Sequence, residues 1–196
     1  MSKKDTLLEQ IRADIIDNNI CPNLAKTARN LVMGSGNTDA GIVFIGEAPG
    51  KKEDEIGLPF IGAAGKFLDE MLTTAGMTRS DVYITNIVKY RPPNNRDPSP
   101  VEKKAFWPYL VRQLDVIRPT IVVTLGRHSM EYFLPGIKIS EIHGQPQQIT
   151  WGNTQIVIVP LYHPAAALYN GGLRATLIED FIKLPTIINL LEKEKQ

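Results

Sequence analysis

The chain has 196 residues, a formal net charge of +1, and 43% hydrophobic and 22% charged residues, the proportions of a globular protein long enough to bury a sizeable core. A charge this close to zero excludes a globally basic nucleic-acid binder and leaves room only for a local basic surface. One cysteine, Cys21, excludes an internal disulfide and a cysteine-built metal site; no apolar run approaches the roughly 20 residues of a membrane helix, and the acids in MSKKDTLLEQ argue against a signal peptide, so an intracellular protein is expected.

In chain order, Leu7, Leu8, Ile11, Ile15 and Ile16 form a helical stripe that reaches about Asn18. MGSGNTDAG reads as a loop and GIVFIG as a short buried strand. GEAPG then makes a turn, and KKEDE reads as a solvated charge run on a loop, since consecutive acids with lysines beside them make a poor metal site. AAGKFLDEMLTTAG predicts a helix with Phe67, Leu68, Met71, Leu72 and Ala75 on one face and Gly76 as its stop. DVYITNIVKY is a second strand, followed by the proline-rich loop RPPNNRDPSP. Ser99, Pro100 and Glu102 form a capping box that opens a long helix running toward Arg118, with a kink expected at Pro108. TIVVTLG is a third strand and RHSMEYFL a short helix. PQQITWGNTQIVIVPL predicts a hairpin turning at Gly152-Asn153 whose second arm is the fourth core strand. HPAAALYNGG reads as a loop, and a final helix starts at Leu173. The terminal LLEKEKQ contains no recognisable clamp-binding peptide.

Strands alternating with helices predict an α/β fold of one domain, residues 1–196, with a mainly parallel sheet covered on both faces. Active sites in such folds lie beyond the carboxyl ends of the strands. Three polar segments follow strand ends here: GEAPG, NIVKYRPPNNR and HPAAAL. They are expected to converge on a single site. A nucleotide cofactor is not expected. GAAGKF lacks the first glycine of a phosphate loop, has Phe67 in place of its Ser/Thr, and GEAPG has neither the dinucleotide-binding spacing nor, at Pro49, a free backbone donor.

GEAPGKKEDEIGLPFIGAAGKFLDEML, VYITNIVKYRPPNNRDPSPVE and HPAAAL, in that order, resemble the signature blocks of family 4 uracil-DNA glycosylases, over about residues 18–184. The resemblance implies a three-layer α/β/α arrangement around a four-stranded, mainly parallel sheet. It also implies an activity, the removal of uracil from single- or double-stranded DNA by hydrolysis of the bond between base and deoxyribose, in base excision repair. A monomer in the cytoplasm, associated with the nucleoid, goes with that reading. Members of the family usually hold a 4Fe–4S cluster on four cysteines. Here Asn18, Cys21, Tyr90 and Phe106 stand at those positions, and such a set cannot ligate a cluster. No metal or cluster is therefore expected, and Tyr90 and Phe106 are expected to fill the volume by apolar packing.

The resemblance assigns Glu47 and His163 to catalysis, and Ala48, Glu53, Phe60 and Asn86 to the uracil pocket. Phe60, behind Pro59 on a rigid turn, is either a platform that stacks on uracil or a core phenylalanine, and the turn chemistry favours stacking. Asn86 lies in a strand, where asparagine is depleted, and either reads N3–H and O4 of uracil or caps a loop. A positioned His163 N–H would stabilise the charge gathering on the departing base. Glu47 either orients water and stabilises the sugar cation or bonds loop backbone, while Glu53 is placed to exclude a C5 methyl. His128 and His143 are expected to be structural or on the surface. For DNA, Ala165 permits close approach, Leu168 is a wedge or a core residue, and Lys89, Arg91, Arg96 and Arg174 supply local positive charge. Two alternatives share the fold: a glycosylase that also accepts hypoxanthine or xanthine, and a non-catalytic binder of uracil DNA.

Overall fold

The computed structural model describes residues 2–193, so the last three residues of LLEKEKQ lie outside the described residues. Its elements are α1 (Lys3–Asp17), α2 (Pro22–Ala25), β1 (Ser35–Gly36), β2 (Ile42–Gly46), α3 (Lys51–Ile56), α4 (Ala63–Thr74), β3 (Tyr83–Asn86), α5 (Pro100–Ile117), β4 (Ile121–Leu125), α6 (Arg127–Met130), α7 (Ile139–Ile142), β5 (Gln147–Trp151), β6 (Thr154–Leu161), α8 (Pro164–Ala167) and α9 (Gly171–Lys193). The sheet has six strands in the order β1-β3-β2-β4-β6-β5. Its four inner strands are parallel, as expected. The count rises to six because antiparallel β1 covers one edge and the hairpin arm β5 covers the other.

Every residue of β2, β3 and β4 is buried, which explains why β2 and most of β4 read as apolar runs rather than as alternating ones, while Thr85 and Asn86 end β3 as buried polar residues. Alternation survives in the direction of the side chains. Val43, Ile45, Val122 and Ile158 meet Ile11, Ile15, Phe106, Leu110 and Leu114 of α1 and α5 on one face. Phe44, Ile84, Val123 and Val159 meet Leu68, Met71, Leu177 and Phe181 of α4 and α9 on the other. Phe44 stacks on Phe181 with ring centroids 5.6 Å apart. Helices on both faces of a parallel sheet make the three layers.

Local signals account for the element ends. Ser99 Oγ accepts from the Glu102 N–H at 3.2 Å and Glu102 Oε2 accepts from the Ser99 N–H at 2.8 Å, the expected capping box. Pro108 lies inside α5, and Gly76 with φ +72° ends the turn after α4. Four segments differ from expectation. KKEDE is not a flexible loop but α3, because Asp54 is buried and accepts from the N–H groups of Arg29 and Asn30 at 2.8 and 3.2 Å. HPAAAL contains the short helix α8, the second strand is only four residues long, and Ile139–Ile142 form a helical turn that sequence periodicity did not reveal.

Candidate active site

β2 ends level with β3 at Gly46 and Asn86, and β4 ends level with β6 at Leu125 and Leu161. The segments leaving these ends close around a cavity of about 350 Å³. Glu47, Ala48 and Glu53 line it from the turn and helix after β2, and Phe60 from the loop before α4. Asn86 comes from the end of β3, Arg96 and Asp97 from the proline-rich loop, and His163 and Ala165 from the segment after β6. All six residues expected in catalysis and the uracil pocket meet there.

Two glycines make the pocket possible. A Cβ on Gly46 would stand 2.6 Å from the Phe60 ring and would also collide with Asn86 Oδ1, so this end of β2 must carry no side chain. A Cβ on Gly65 would overlap the Phe60 carbonyl. Phe60 itself has φ +52°, an unfavourable region for an aromatic residue, and Arg79 holds it there by donating to the carbonyls of Pro59 (3.1 Å) and Phe60. It is 6% exposed, so it is not on an exposed loop; its ring faces the cavity and the His163 ring, with centroids 5.7 Å apart. Asn86 is 2% exposed, and its carboxamide has no hydrogen-bond partner among the described residues. That leaves both its donor and its acceptor for a ligand.

His163 caps α8. Its Nδ1 accepts from the Ala165 N–H at 3.1 Å, so in the neutral ring the proton sits on Nε2. Burial lowers its pKa to about 4, against the opposing pull of Glu53, so the ring is neutral at pH 7. A neutral ring with one fixed N–H is a donor of defined direction. Glu47 is different. Burial raises its carboxyl to about 6, against the nearby Lys103 ammonium, and its Oε1 is buried without a hydrogen-bond partner among the described residues. Lys103 Nζ stands 3.7 Å and His128 Nδ1 3.8 Å from that oxygen. Glu53 is pinned: its Oε1 accepts from the N–H groups of Ile61 and Gly62 at 2.9 and 2.8 Å, which fastens the loop carrying Phe60 to α3.

Sequence reasoning gave no role to Lys103, although it lies on the buried stripe of α5 with Phe106 and Leu110, at the spacing set by the Ser99 cap. It also placed His128 away from chemistry, whereas the ring stands beside Glu47 and 3.7 Å from Asp97 Oδ2. Ligand atoms of Glu47, Asp97 and His128 lie within 4.8 Å of one another. The ammonium of Lys103 and the guanidinium of Arg127 already supply positive charge around this trio, which disfavours a metal cation. His143 is structural as expected, its Nδ1 2.6 Å from the buried Asp180.

The expected DNA contacts divide. Lys89 is fully buried and cannot touch a phosphate; its apparent place in a basic loop came from reading NIVKY as the strand's exposed exit. Arg96 is held in a bidentate pair with Glu102 at 2.7 and 2.8 Å, and Arg174 is paired with Glu70 at 2.7 Å while lying over the Phe67 ring. Arg91 donates to Asn95 Oδ1 at 2.6 Å. Arg127, which was not expected, is exposed and has no carboxylate within ion-pair distance among the described residues. Leu168 is 37% exposed at the end of α8, so it is not a core residue. At the cluster positions Asn18 is exposed at the C-cap of α1, and Tyr90 meets the fully buried Phe106 edge to face with centroids 5.9 Å apart. Cys21 packs against the same core. One thiol and two aromatic rings do not fit an iron–sulfur cluster.

The family model of the uracil DNA glycosylase superfamily matches residues 33–183. A type-4 uracil-DNA glycosylase of Archaeoglobus fulgidus is 46% identical over 182 residues, 90% of this chain and 91% of that protein. One from Saccharolobus solfataricus is 48% identical over 169 residues, 82% of this chain and 77% of that protein. One from Thermotoga maritima is 40% identical over 192 residues, 96% and 98% of the two chains.

Proposed function

This chain belongs to the uracil DNA glycosylase superfamily, and from that premise we propose how its cavity removes uracil. The protein is a uracil-DNA glycosylase, a hydrolase of base excision repair. The flipped base enters the cavity and stacks on Phe60 while Asn86 presents its NH2 to O4 and its carbonyl oxygen to N3–H. The aliphatic wall of Glu53 faces C5, where a thymine methyl would collide. As the bond from C1′ to N1 breaks, its electron pair moves onto the ring, and the Nε2–H of His163 bonds the developing charge at O2. Ionised Glu47 stabilises the cationic sugar and takes a proton from the water that bonds to C1′. The products are an abasic site and the uracil anion; the proton gathered on Glu47 passes to solvent, and the released anion takes one up at N1 there.

The observation that carries this reading is the His163 ring: neutral, capped on Nδ1 by the Ala165 N–H, with its one hydrogen on the atom left for a ligand. DNA is the partner, and the exposed Arg127 and Leu168, with Arg91 next to the cavity-lining Pro92, are the groups proposed to grip it. The enzyme acts as a cytoplasmic monomer, without nucleotide cofactor, metal or iron–sulfur cluster. The test uses oligonucleotides bearing a single uracil, hypoxanthine or mispaired thymine, incubated with EDTA and then cleaved with alkali. Strand breaks at uracil alone are expected. Breaks at hypoxanthine assign the broader glycosylase, and tight binding to uracil DNA without alkali-labile sites assigns the binder.

A further inference from the structure

A chain of buried hydrogen bonds runs beneath Asn86 and ends on a lysine to which the excision chemistry gives no task. Lys89 is fully buried (0% exposed), and no carboxylate among the described residues pairs with it. Its Nζ donates to Thr85 Oγ1 at 2.7 Å and to the main-chain carbonyl of Asn86 at 2.6 Å. The Thr85 hydroxyl donates to the Met33 carbonyl at 2.6 Å, and the Gln113 amide reaches the same carbonyl at 3.0 Å. Burial drives the lysine well below its ordinary pKa. Two acceptors stand within hydrogen-bond distance of its nitrogen, one on a side chain and one on the main chain.

These bonds act on the strand end that presents the carboxamide. Ile87 and Val88 continue the pairing beyond β3, donating to the carbonyls of Gly46 and Glu47 at 3.0 Å. The Lys89 carbonyl accepts from the Val32 N–H at 2.8 Å, so the backbone has turned away by then. Asn86 is thus held from β2 on one side and from inside the turn by Lys89. For packing alone, a methionine of similar length would fill this volume without desolvating an amine. What methionine lacks is the pair of donors.

We propose that Lys89 is a positioning residue for base recognition: its side chain ties the main chain of Asn86 to Thr85, so that the carboxamide meets the flipped base at one height and angle. The inference rests on the reading of Asn86 as the residue that recognises uracil. Lys89→Met removes both donors and keeps the packing. Its single-turnover excision rate should fall about a hundredfold, the effect of displacing a reacting group by about 1 Å. Its affinity for abasic-site DNA should stay within about threefold of wild type, and its melting temperature should not fall. Lys89→Gln, which restores amide hydrogens on a shorter stem, should recover part of the rate.

A wild-type protein that leaves uracil in place sinks the reading of the site rather than this inference. An active wild type with Lys89→Met within about threefold of its rate overturns the positioning role. So does a loss of rate matched by a lower melting temperature and no recovery in Lys89→Gln, which assigns Lys89 to folding alone. Should Lys89→Met fail to fold, the near-isosteric Thr85→Val decides. It removes one anchor of the amine and should slow excision about tenfold, and an unchanged rate overturns the proposal.

Discussion

Glu47 and His163 occupy one cavity and are shifted by the same cause, burial, in opposite directions of charge. Burial disfavours the charged form of each, so the acid titrates near 6 and the imidazole near 4. If ionised Glu47 is the active form, the uncharged acid that forms below pH about 6 is inactive. The rate at limiting substrate should then fall about tenfold per pH unit below that value and level off above it, and Glu47→Gln should be slower with this limb absent. His163→Ala should slow single-turnover excision by roughly a hundred- to a thousandfold, about 2.7–4 kcal/mol, with little change in DNA affinity. Because the alanine also removes the cap of α8, His163→Asn is the sharper variant. Asparagine keeps a cap acceptor for the Ala165 N–H but not the distant donor, and should lose as much. A loss of only a few-fold in His163→Asn would return this residue to a purely structural role.

The N-terminus of α5 does more than begin a helix. Glu102 closes the capping box, takes both arms of Arg96 and accepts from Asn23 at 3.0 Å, so it ties the proline-rich wall of the cavity to the core. Arg96 above all, aided by the Ser99 N–H and Asn23, holds the carboxyl near 2, below its ordinary 4.5. A folded pKa depressed in this way contributes stability that is complete above about 4.5 and lost as pH falls toward 2. Glu102→Gln should therefore remove part of the acid sensitivity of thermal unfolding in that window, and Ser99→Ala should lower stability by roughly 0.5–2 kcal/mol. This cap was legible in the sequence because its signal is local: Ser99, Pro100 and Glu102 at fixed spacing. The parallel core was legible for the same reason, as apolar runs between turn residues. Lys89 was misplaced because nothing local separates a buried lysine from an exposed one; its burial depends on Met33 and Gln113, distant in sequence. Asp54 was misread alike, since its partners Arg29 and Asn30 come from another segment. The candidate catalytic residues were recognised by their resemblance to a family, not by their spacing, and Lys103 and His128 gained their place beside Glu47 only through the fold.

Across the whole molecule, charge and core composition set two further expectations. With Lys89 buried and Arg96 and Arg174 paired, Arg91 is the one remaining expected cation without a carboxylate partner among the described residues, and the exposed Arg127 joins it. Arg127→Ala should weaken binding to every single-stranded sequence alike and reduce the salt slope of log K by about 0.7. The aromatic pair Tyr90 and Phe106 packs edge to face at two of the positions that the family resemblance assigns to cluster ligands. Purified protein should be colourless and free of stoichiometric iron, and chelators should leave its melting temperature unchanged. Phe106→Ala should cost roughly 3–5 kcal/mol in the same assay. The order of strands also carries a timetable. β2 lies at the centre, yet it pairs residue 42 with residue 121, and β4 in turn pairs residue 121 with residue 157. Each pairing closes a long loop before any contact rewards it, which makes such sheets slow to form. Glu47 and Asn86 can meet once β3 has joined β2, but His163 follows the last strand of the chain. During synthesis the residues proposed to read the base therefore emerge before the proposed donor, and a chain halted after β4 lacks His163 altogether.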